Sequence, residues 1–229
     1  MSIEEYASRI IVSLDPPGGV EIGEWLERVY TSLKGLVAGW KVGWPLILRW
    51  GVERVRSFLA SASGVRLLDL KLADIYNTMR NVVDVFVDVV DAVIAHSFIG
   101  VEGALAELKK LLEEYGVKLV LVYTMSHPGA SEVMDQCLDR IDEVVERVKP
   151  WGLVAPATRP SLVSRARRRY GDLVIFSPGV GAQGAAPGSA ICAGADYEII
   201  GRSIVASPDP LRSVYGLSAS AAKILSSCT

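Results

Sequence analysis

Residues 65–75 read Val-Arg-Leu-Leu-Asp-Leu-Lys-Leu-Ala-Asp-Ile, an apolar run that ends among three charged side chains. A short apolar run of this kind predicts a buried strand over Val65–Lys71. Asp69 and Lys71 are two residues apart, so on a strand they project from the same face. Asp74 follows where the strand must already be ending. Three charges at the end of a buried strand cost free energy unless they pair or take part in chemistry, so this run is a candidate functional site.

The same alternation of a short apolar run and an amphipathic segment repeats along the whole chain. Eight strands are predicted, over Ile10–Leu14, Ala38–Val42, Val65–Lys71, Ala92–His96, Lys118–Tyr123, Gly152–Ala155, Leu173–Ser177 and Tyr197–Gly201. Seven helices are predicted, over Ile22–Leu36, Leu46–Ala60, Asn77–Val89, Glu102–Tyr115, Glu132–Val148, Ser161–Tyr170 and Asp209–Ser226. The strands begin roughly 25–30 residues apart, about the size of a βα unit.

Eight βα units in 229 residues favour an α/β fold of the (β/α)8 type, a TIM barrel. A doubly wound parallel sheet is the competing α/β architecture. No linker or low-complexity segment divides the chain, so residues 1–229 are predicted to form a single domain.

The composition excludes several classes of function. Half of the residues are apolar and the net charge is -2, which is typical of a globular protein and not of one that binds nucleic acid or anionic membranes broadly. The basic cluster Arg165–Arg169 lies on a predicted helix and is interpreted as a solvated helix face. No run approaches the roughly 18 apolar residues of a membrane span, and the N-terminus lacks the features of a signal peptide.

The cysteines and histidines show no metal-binding pattern. Cys137, Cys192 and Cys228 are far apart and lack CxxC spacing, which predicts free thiols in a reduced cytosolic compartment. His96 and His127 are the only histidines, and neither has ligand spacing to a cysteine or to the other histidine. Both are interpreted as hydrogen-bonded residues of a loop or strand end.

Polar side chains follow the C-terminal ends of the predicted strands, where the active sites of (β/α)8 barrels lie. In chain order these residues are Asp15, Lys41, Asp69, Lys71, Asp74, His96, Ser126, Thr158, Gln183 and Arg202. Any one of them can be a strand cap or a loop residue. A barrel would bring the whole set to one opening, and structural roles alone explain that convergence poorly.

The segments after the last two strands predict a phosphate site. Ser177–Gly184 reads Ser-Pro-Gly-Val-Gly-Ala-Gln-Gly, and its glycines let the backbone approach a ligand and present N–H groups. Arg202 can hold a phosphate through two parallel hydrogen bonds. The match of Gly179-x-Gly181-x-x-Gly184 to the dinucleotide fingerprint lacks a full βαβ unit, so we expect a mononucleotide or sugar phosphate rather than NAD.

Lys41 lies at the end of an apolar strand, where its ammonium group needs anionic partners. Asp15, Asp69 and Asp74 could supply them, and such an alternating array would keep the lysines protonated. A protonated lysine is a proton donor and not a Schiff-base nucleophile. The three carboxylates could in principle hold Mg²⁺, but Lys41 and Lys71 already neutralise their charge, which argues against a metal.

Taken together and in this order, these motifs resemble those of archaeal-type orotidine 5'-phosphate decarboxylases over essentially the whole chain. The matching segments are Ser13–Asp15, Lys41–Leu46, Asp69–Ile75, Met125–Ala130, Ala157–Pro160, Ser177–Gly184 and Gly201–Ile204. The resemblance implies a metal-free and cofactor-free decarboxylation of orotidine 5'-phosphate to UMP and CO2, the last step of de novo pyrimidine biosynthesis. The chain departs from the family at Tyr76, where proline is more frequent.

The resemblance also implies a role for each site residue. Lys71 would protonate C6 of the pyrimidine as CO2 leaves, and Asp69 would lie against the substrate carboxylate. Lys41 and Asp74 would complete the charged array, with Asp74 reaching in from the partner subunit of a homodimer. The substrate would be bound by Asp15 and Lys41 at the ribose, Thr78 across the interface, Ser126 at the pyrimidine, and Gln183 and Arg202 at the phosphate, with Pro178 and Gly201 as further contacts. The loop from Pro178 to about Pro187 would close over it.

Two alternatives remain beside this interpretation. Mg²⁺-dependent 3-keto-sugar-phosphate decarboxylases and hexulose-phosphate synthases share the Asp-x-Lys-x-x-Asp run, but they carry an acid where this chain has Lys41. Lys41 therefore favours the metal-free enzyme. A non-catalytic phosphate-binding protein on a barrel scaffold is the second alternative, and it would have no need of so costly a charged array.

Overall fold

In the computed structural model, which describes residues 1–228, eight parallel strands close into a barrel. The strands are β1 Ile10–Ser13, β2 Gly39–Gly43, β3 Val65–Leu72, β4 Ala92–His96, β5 Lys118–Val122, β6 Gly152–Val154, β7 Val174–Pro178 and β8 Tyr197–Ile200. Each strand pairs with the next in chain order, and β8 pairs with β1. The predicted (β/α)8 barrel is confirmed, and the bounds of every strand agree with the sequence-based ones to about one residue because near-continuous apolar runs mark strands buried on both faces.

The helices precede the first strand, connect successive strands and follow the last one. They are α1 Ile3–Ala7, α2 Ile22–Leu33, α3 Trp44–Trp50, α4 Val52–Ser61, α5 Tyr76–Val83, α6 Ala106–Glu114, α7 Leu138–Val148, α8 Pro160–Arg169, α9 Ser189–Cys192, α10 Arg202–Val205 and α11 Pro210–Leu225. Helices α1, α9 and α10 were not predicted, because four or five residues are too few to show a helical period. Within residues 1–228, no helix combines the length and the apolar character needed to cross a membrane.

Four of the predicted helices are wrong in their extent. The helix expected over Asn77–Val89 ends at Val83, where turns follow. The helix expected over Glu102–Tyr115 becomes a regular α-helix only at Ala106, because the backbone at residues 102 and 103 is not helical.

The helix expected over Leu46–Ala60 is divided into α3 and α4 by Gly51, whose φ of 93° lies in the left-handed region that glycine adopts readily. The helix expected from Glu132 begins at Leu138, because short 3₁₀ turns occupy residues 128–131 and 135–137. The apolar residues in these turns continue the helical period of α7, so the hydrophobic pattern alone did not reveal the break.

The strand β3 is irregular at the residue for which the sequence predicts chemistry. Lys71 has a φ of 46°, and the register between β3 and β4 shifts between Leu68 and Leu72. A residue other than glycine held in this region costs on the order of 1–3 kcal/mol, and such strain concentrates at functional sites. The irregularity directs the Lys71 side chain towards the C-terminal opening of the barrel, as bulges do next to active sites.

The basic cluster on α8 is not simply a solvated helix face, as the sequence suggested. Arg165 donates to the buried carboxylate of Asp142 on α7 at 2.5 Å, and Arg167 donates to the carbonyl oxygen of Gly194 at 2.8 Å. The hydroxyl of Tyr123 also donates to Asp142, at 2.9 Å. These contacts join α8 to its neighbours, so the arginines stabilise the outer layer of the barrel.

The prediction of free thiols is wrong for two of the three cysteines. Cys192, at the end of α9, and Cys228, just after α11, form a disulfide with a Cα–Cα distance of 5.6 Å across 36 residues of sequence. Cys137 is a free, exposed cysteine. The widely spaced cysteines gave no sign of this pairing because only the barrel brings α9 and α11 together. The cytosolic location stays a prediction.

We expect Cys228→Ser to lower the melting temperature by about 8–16 °C. A cross-link that closes a 36-residue loop restricts the unfolded chain by about 4 kcal/mol, and each kcal/mol shifts the midpoint by about 2–4 °C in a chain of this size. Calorimetry of the wild type with and without a reductant gives the matching measurement. Cys137→Ser is the control and should leave the midpoint unchanged. Equal midpoints for Cys228→Ser and the oxidised wild type would show that the disulfide contributes nothing.

Candidate active site

A cavity of about 320 Å³ opens at the C-terminal end of the barrel. Its volume is in the range of small-molecule sites. Its floor is apolar and consists of one side chain from each of four strands, namely Ile94, Val122, Val154 and Ile199. Charged and polar groups surround this floor. The cavity therefore combines an apolar surface, on which a planar ring can pack, with polar groups that can orient a ligand.

Nine of the eleven predicted site residues line this cavity. They are Asp15, Lys41, Asp69, Lys71, Ser126, Pro178, Gln183, Gly201 and Arg202. The two others, Asp74 and Thr78, are exposed on the segment that follows β3. These two are the residues expected to serve the partner's site, so their place outside the cavity of one chain agrees with that hypothesis without testing it.

The buried carboxylate of Asp69 is the centre of the charged array. Both of its oxygens accept hydrogen bonds from Lys71 Nζ at 2.8 Å, and Oδ2 also lies 2.8 Å from Lys41 Nζ. Burial by itself would raise the pKa of the Asp69 carboxyl, but the charges of Lys41 and Lys71 outweigh burial and hold that pKa below its usual range. Asp69 is therefore ionised at neutral pH although it is only 7% exposed.

Lys41 is held in its charged form by the same carboxylates. Burial opposes the charge of this side chain, but the carboxylates of Asp69 and Asp15 together raise the pKa of Lys41 above its ordinary value. The Lys41 side chain is 11% exposed, whereas that of Lys71 is 40% exposed. Both lysines line the cavity, and Lys71 is the more exposed of the two.

The opposite side of the cavity carries the groups expected to bind a phosphate. Gly179, Ala182 and Gln183 line it from the loop after β7, and Gly201 and Arg202 line it from the end of β8. In the part of the chain that the structure describes, the side chains of both Gln183 and Arg202 are exposed. The exposed Gln183 and Arg202 are therefore free to meet an anion, and the Lys71 ammonium lies at the other side of the same cavity.

Three polar or adaptable residues of the cavity wall are absent from the sequence-based set: Ser13, Thr124 and Met125. The sequence-based set took Asp15 and Ser126 at these two strand ends, and the three missed residues lie one or two positions before them. The alternation of side chains along a strand could have found Ser13 and Thr124. Residues two apart on a strand point to the same face, so Ser13 shares a face with Asp15 and Thr124 with Val122.

The loop after β5 is fixed by a residue of unassigned role. Arg159 forms an ion pair with Asp135 and donates to the carbonyl oxygen of Met125 at 3.3 Å. Thr124 Oγ1 donates to the same carboxylate, Asp135 Oδ1, at 2.7 Å. This network holds the backbone next to Ser126, which the family resemblance predicts to contact the pyrimidine.

His96 and Thr158 also follow strand ends, but neither lines the cavity. His96 is buried and packs its ring against Phe98 at a centroid distance of 4.7 Å. Burial, and then the charge of Lys71, lower the pKa of His96. Within the described residues its Nδ1 atom has no hydrogen-bond partner, so the prediction of a hydrogen-bonded histidine is wrong for that atom.

Comparison with known proteins agrees with this geometry. Residues 8–215 match the model of the Orotidine 5'-phosphate decarboxylase / HUMPS family. This chain belongs to that family. The match covers all eight strands, so the barrel and its cavity are those of the family.

Curated members of the family are similar to the chain over most of its length. The orotidine 5'-phosphate decarboxylase of Aeropyrum pernix is 48% identical over 219 residues, which are 94% of this chain and 89% of the relative. The crystal structure of the orotidine 5'-monophosphate decarboxylase from Metallosphaera sedula has a TM-score of 0.83 and 46% identity, covering 95% of this chain and 99% of the other. The enzyme from Methanocaldococcus jannaschii, crystallised with the inhibitor BMP, has a TM-score of 0.83 and 26% identity, covering 93% and 98%.

Proposed function

We propose that this chain is a single-domain orotidine 5'-phosphate decarboxylase that forms UMP and CO2 without a metal or cofactor. The observation that carries the proposal is the Asp69 carboxylate, bonded to both Lys41 and Lys71 at one side of a cavity whose other side offers Gln183 and Arg202. Family membership and the names of its curated relatives support the same activity.

In the proposed mechanism, the phosphate is bound by Arg202 and Gln183, and the pyrimidine ring lies on the apolar floor with its carboxylate near Asp69. Breaking the bond to the carboxylate releases CO2 and leaves an electron pair at C6. The Lys71 ammonium donates a proton to C6 and becomes a neutral amine, which regains a proton from solvent. No cofactor delocalises the carbanion, so a preorganised ammonium beside C6 and the binding energy of the distant phosphate must lower the barrier.

Asp69 has two roles in this mechanism: it positions Lys71, and it repels the carboxylate of the bound substrate. Its two hydrogen bonds to Lys71 Nζ hold the proton donor beside the cavity. Its negative charge lies where the substrate carboxylate must enter, so the two carboxylates repel each other. That repulsion ends when the substrate carboxylate leaves as neutral CO2. Lys41 keeps Asp69 ionised and so maintains both effects.

We further propose a homodimer in which each site receives Asp74 and Thr78 from the partner. Both residues are exposed on the segment after β3, outside the cavity of their own chain. Large apolar side chains are exposed after the neighbouring strands β2, β3 and β4, namely Trp44, Leu48, Ile75 and Phe98. Clustered exposed apolar residues mark interaction surfaces, so this end of the barrel is suited to contact a second copy.

The position of Lys41 supports a reaction that requires no metal. Its ammonium bonds Asp69 and is close enough to Asp15 for that carboxylate to raise the pKa of Lys41. A divalent cation between these carboxylates would have to displace a buried ammonium group or accept its repulsion. Lys41 therefore favours the metal-free reaction over the Mg²⁺-dependent reactions of the sugar-phosphate enzymes.

A direct assay tests the activity and its metal independence together. We expect the ultraviolet absorbance of orotidine 5'-phosphate to fall on addition of the protein, with UMP and CO2 as products in equal amounts. The rate after exhaustive dialysis against EDTA should stay within about twofold of the untreated rate, because no step needs a Lewis acid. Failure to form UMP would refute the proposed activity, and a rate that is lost in EDTA and restored by Mg²⁺ would refute metal independence.

A further inference from the structure

The hydroxyl group of Ser13, the last residue of β1, makes a contact to which the proposed reaction assigns no role. It donates a hydrogen bond to Asp15 Oδ2 at 2.6 Å, and both side chains line the cavity. Ser13 is 4% exposed, so water does not compete freely for its hydroxyl. We propose that Ser13 is a positioning residue that fixes the Asp15 carboxylate for the ribose hydroxyls of the substrate. This inference rests on the proposed function, in which Asp15 binds the ribose.

The first argument is that Asp15 depends on Ser13 for its orientation. Within residues 1–228, the bond from Ser13 is the one hydrogen bond to the Asp15 carboxylate. Lys41, which pairs with Ser13 in the parallel register of β1 and β2, acts on Asp15 by charge and bonds Asp69 instead. Because Oδ2 is engaged by Ser13, Oδ1 stays available to accept from a ligand hydroxyl. A carboxylate that is already oriented loses less conformational entropy when the ligand binds.

The second argument concerns the space around the Ser13 side chain. A Cβ atom built on Gly201 would lie 3.3 Å from Ser13 Cβ, so the backbone at the end of β8 passes directly against this residue. Gly201 is followed by Arg202, which is expected to bind the phosphate. Ser13 therefore lies between the Asp15 carboxylate, expected at the ribose, and the segment Gly201–Arg202, expected at the phosphate. A side chain at position 13 must be small enough to pack against Gly201 and must carry a donor for Asp15, and serine satisfies both conditions.

The expected consequence is a loss of affinity for the ribose part of the ligand. Removing a hydrogen bond to a charged group weakens binding by about tenfold or more when that group is used to hold a ligand. We therefore expect Ser13→Ala to raise KM for orotidine 5'-phosphate and the dissociation constant of UMP by about tenfold, with a smaller change in kcat. Binding of 2',3'-dideoxy-UMP, which has no ribose hydroxyls, should change by less than about twofold.

The test is a double-mutant cycle with a control for packing. Ser13→Ala is measured in the wild type and in the Asp15→Asn background, by steady-state kinetics and by titration with UMP. We expect the tenfold penalty to fall below about twofold in the Asp15→Asn background, because Ser13 acts through that carboxylate. Ser13→Cys keeps a side chain of similar size but is a weak donor, so it should resemble Ser13→Ala and not the wild type.

Each opposing outcome identifies a different error. Equal penalties for Ser13→Ala in both backgrounds, or a Ser13→Cys variant that binds like the wild type, would show that Ser13 acts by packing against Gly201 and would overturn the inference. The same penalty for UMP and its dideoxy analogue would overturn the assignment to the ribose. A wild-type protein that forms no UMP would overturn the proposed function and this inference with it, whereas an active wild type with additive penalties overturns the inference alone.

Discussion

Replacing Lys71 with alanine is expected to lower kcat for the decarboxylation of orotidine 5'-phosphate by about 10⁴-fold or more. The variant loses the group that would donate a proton to C6, and proton donation by a positioned side chain contributes up to about 10⁴-fold. It also leaves the buried Asp69 carboxylate with one ammonium partner in place of two. The rate is measured by the loss of substrate absorbance, with UMP quantified as the product.

Ligand binding shows whether the loss is chemical. The residues proposed to bind the phosphate, Gln183 and Arg202, lie at the other side of the cavity. Lys71→Ala should therefore bind UMP within about tenfold of the wild type. Lys109→Ala is a matched control, because Lys109 pairs with Glu113 on the outer surface of α6. It should retain full activity. Near-normal turnover by a Lys71→Ala variant that still binds UMP would refute the role of Lys71 as proton donor.

Mixing subunits with separate defects is expected to restore activity that neither variant has alone. In a dimer of one Asp74→Ala subunit and one Lys71→Ala subunit, one site combines an intact Lys71 with the intact Asp74 of the partner. Random exchange makes half of the dimers hybrid with one working site each, so the mixture should recover about a quarter of the wild-type activity. The exposed position of Asp74, outside the cavity of its own chain, is the reason for this expectation.

A second pair of variants makes the complementation specific. Asp69 and Lys71 belong to the same chain's cavity, so mixing Asp69→Ala with Lys71→Ala subunits leaves every site with at least one defect and should restore nothing. The two subunits carry different affinity tags, and hybrids are isolated by two successive purifications before the assay. Inactive Asp74→Ala/Lys71→Ala hybrids would show that the site is not shared in this way.

The strands and the position of the site were predictable from the sequence because both depend on local pattern. A strand buried on two faces needs an unbroken apolar run, and the polar residue that ends the run marks the barrel opening. Asp15, Lys41 and Arg202 were all located by that rule, and all line the cavity. The helix boundaries were less predictable, since Gly51 and the turns before Leu138 interrupt helices without interrupting the apolar period.

The network around Asp142 and the pairing of Cys192 with Cys228 were not predictable for a different reason. Both join residues that are distant in the chain, and the sequence holds no information on which outer helices become neighbours until the barrel closes. The hydrogen bond from Ser13 to Asp15 is local, yet a serine two residues before an aspartate has many possible partners. Only the position of Gly201, at the end of the adjacent strand β8, shows why this one is held in place.

By itself the sequence determined the eight-stranded alternation, the charged run from Asp69 to Asp74 and the presence of Lys41, because burial of strands and the cost of unpaired charge are already expressed in residue type and spacing. Only the tertiary structure decided that Lys71 adopts a left-handed backbone, that its ammonium bonds both oxygens of Asp69, and that Asp74 stays outside its own cavity. These depend on how β3 is constrained by its neighbours. A strand's pattern specifies which face is buried, whereas the direction of each charge is set by the closed barrel around it.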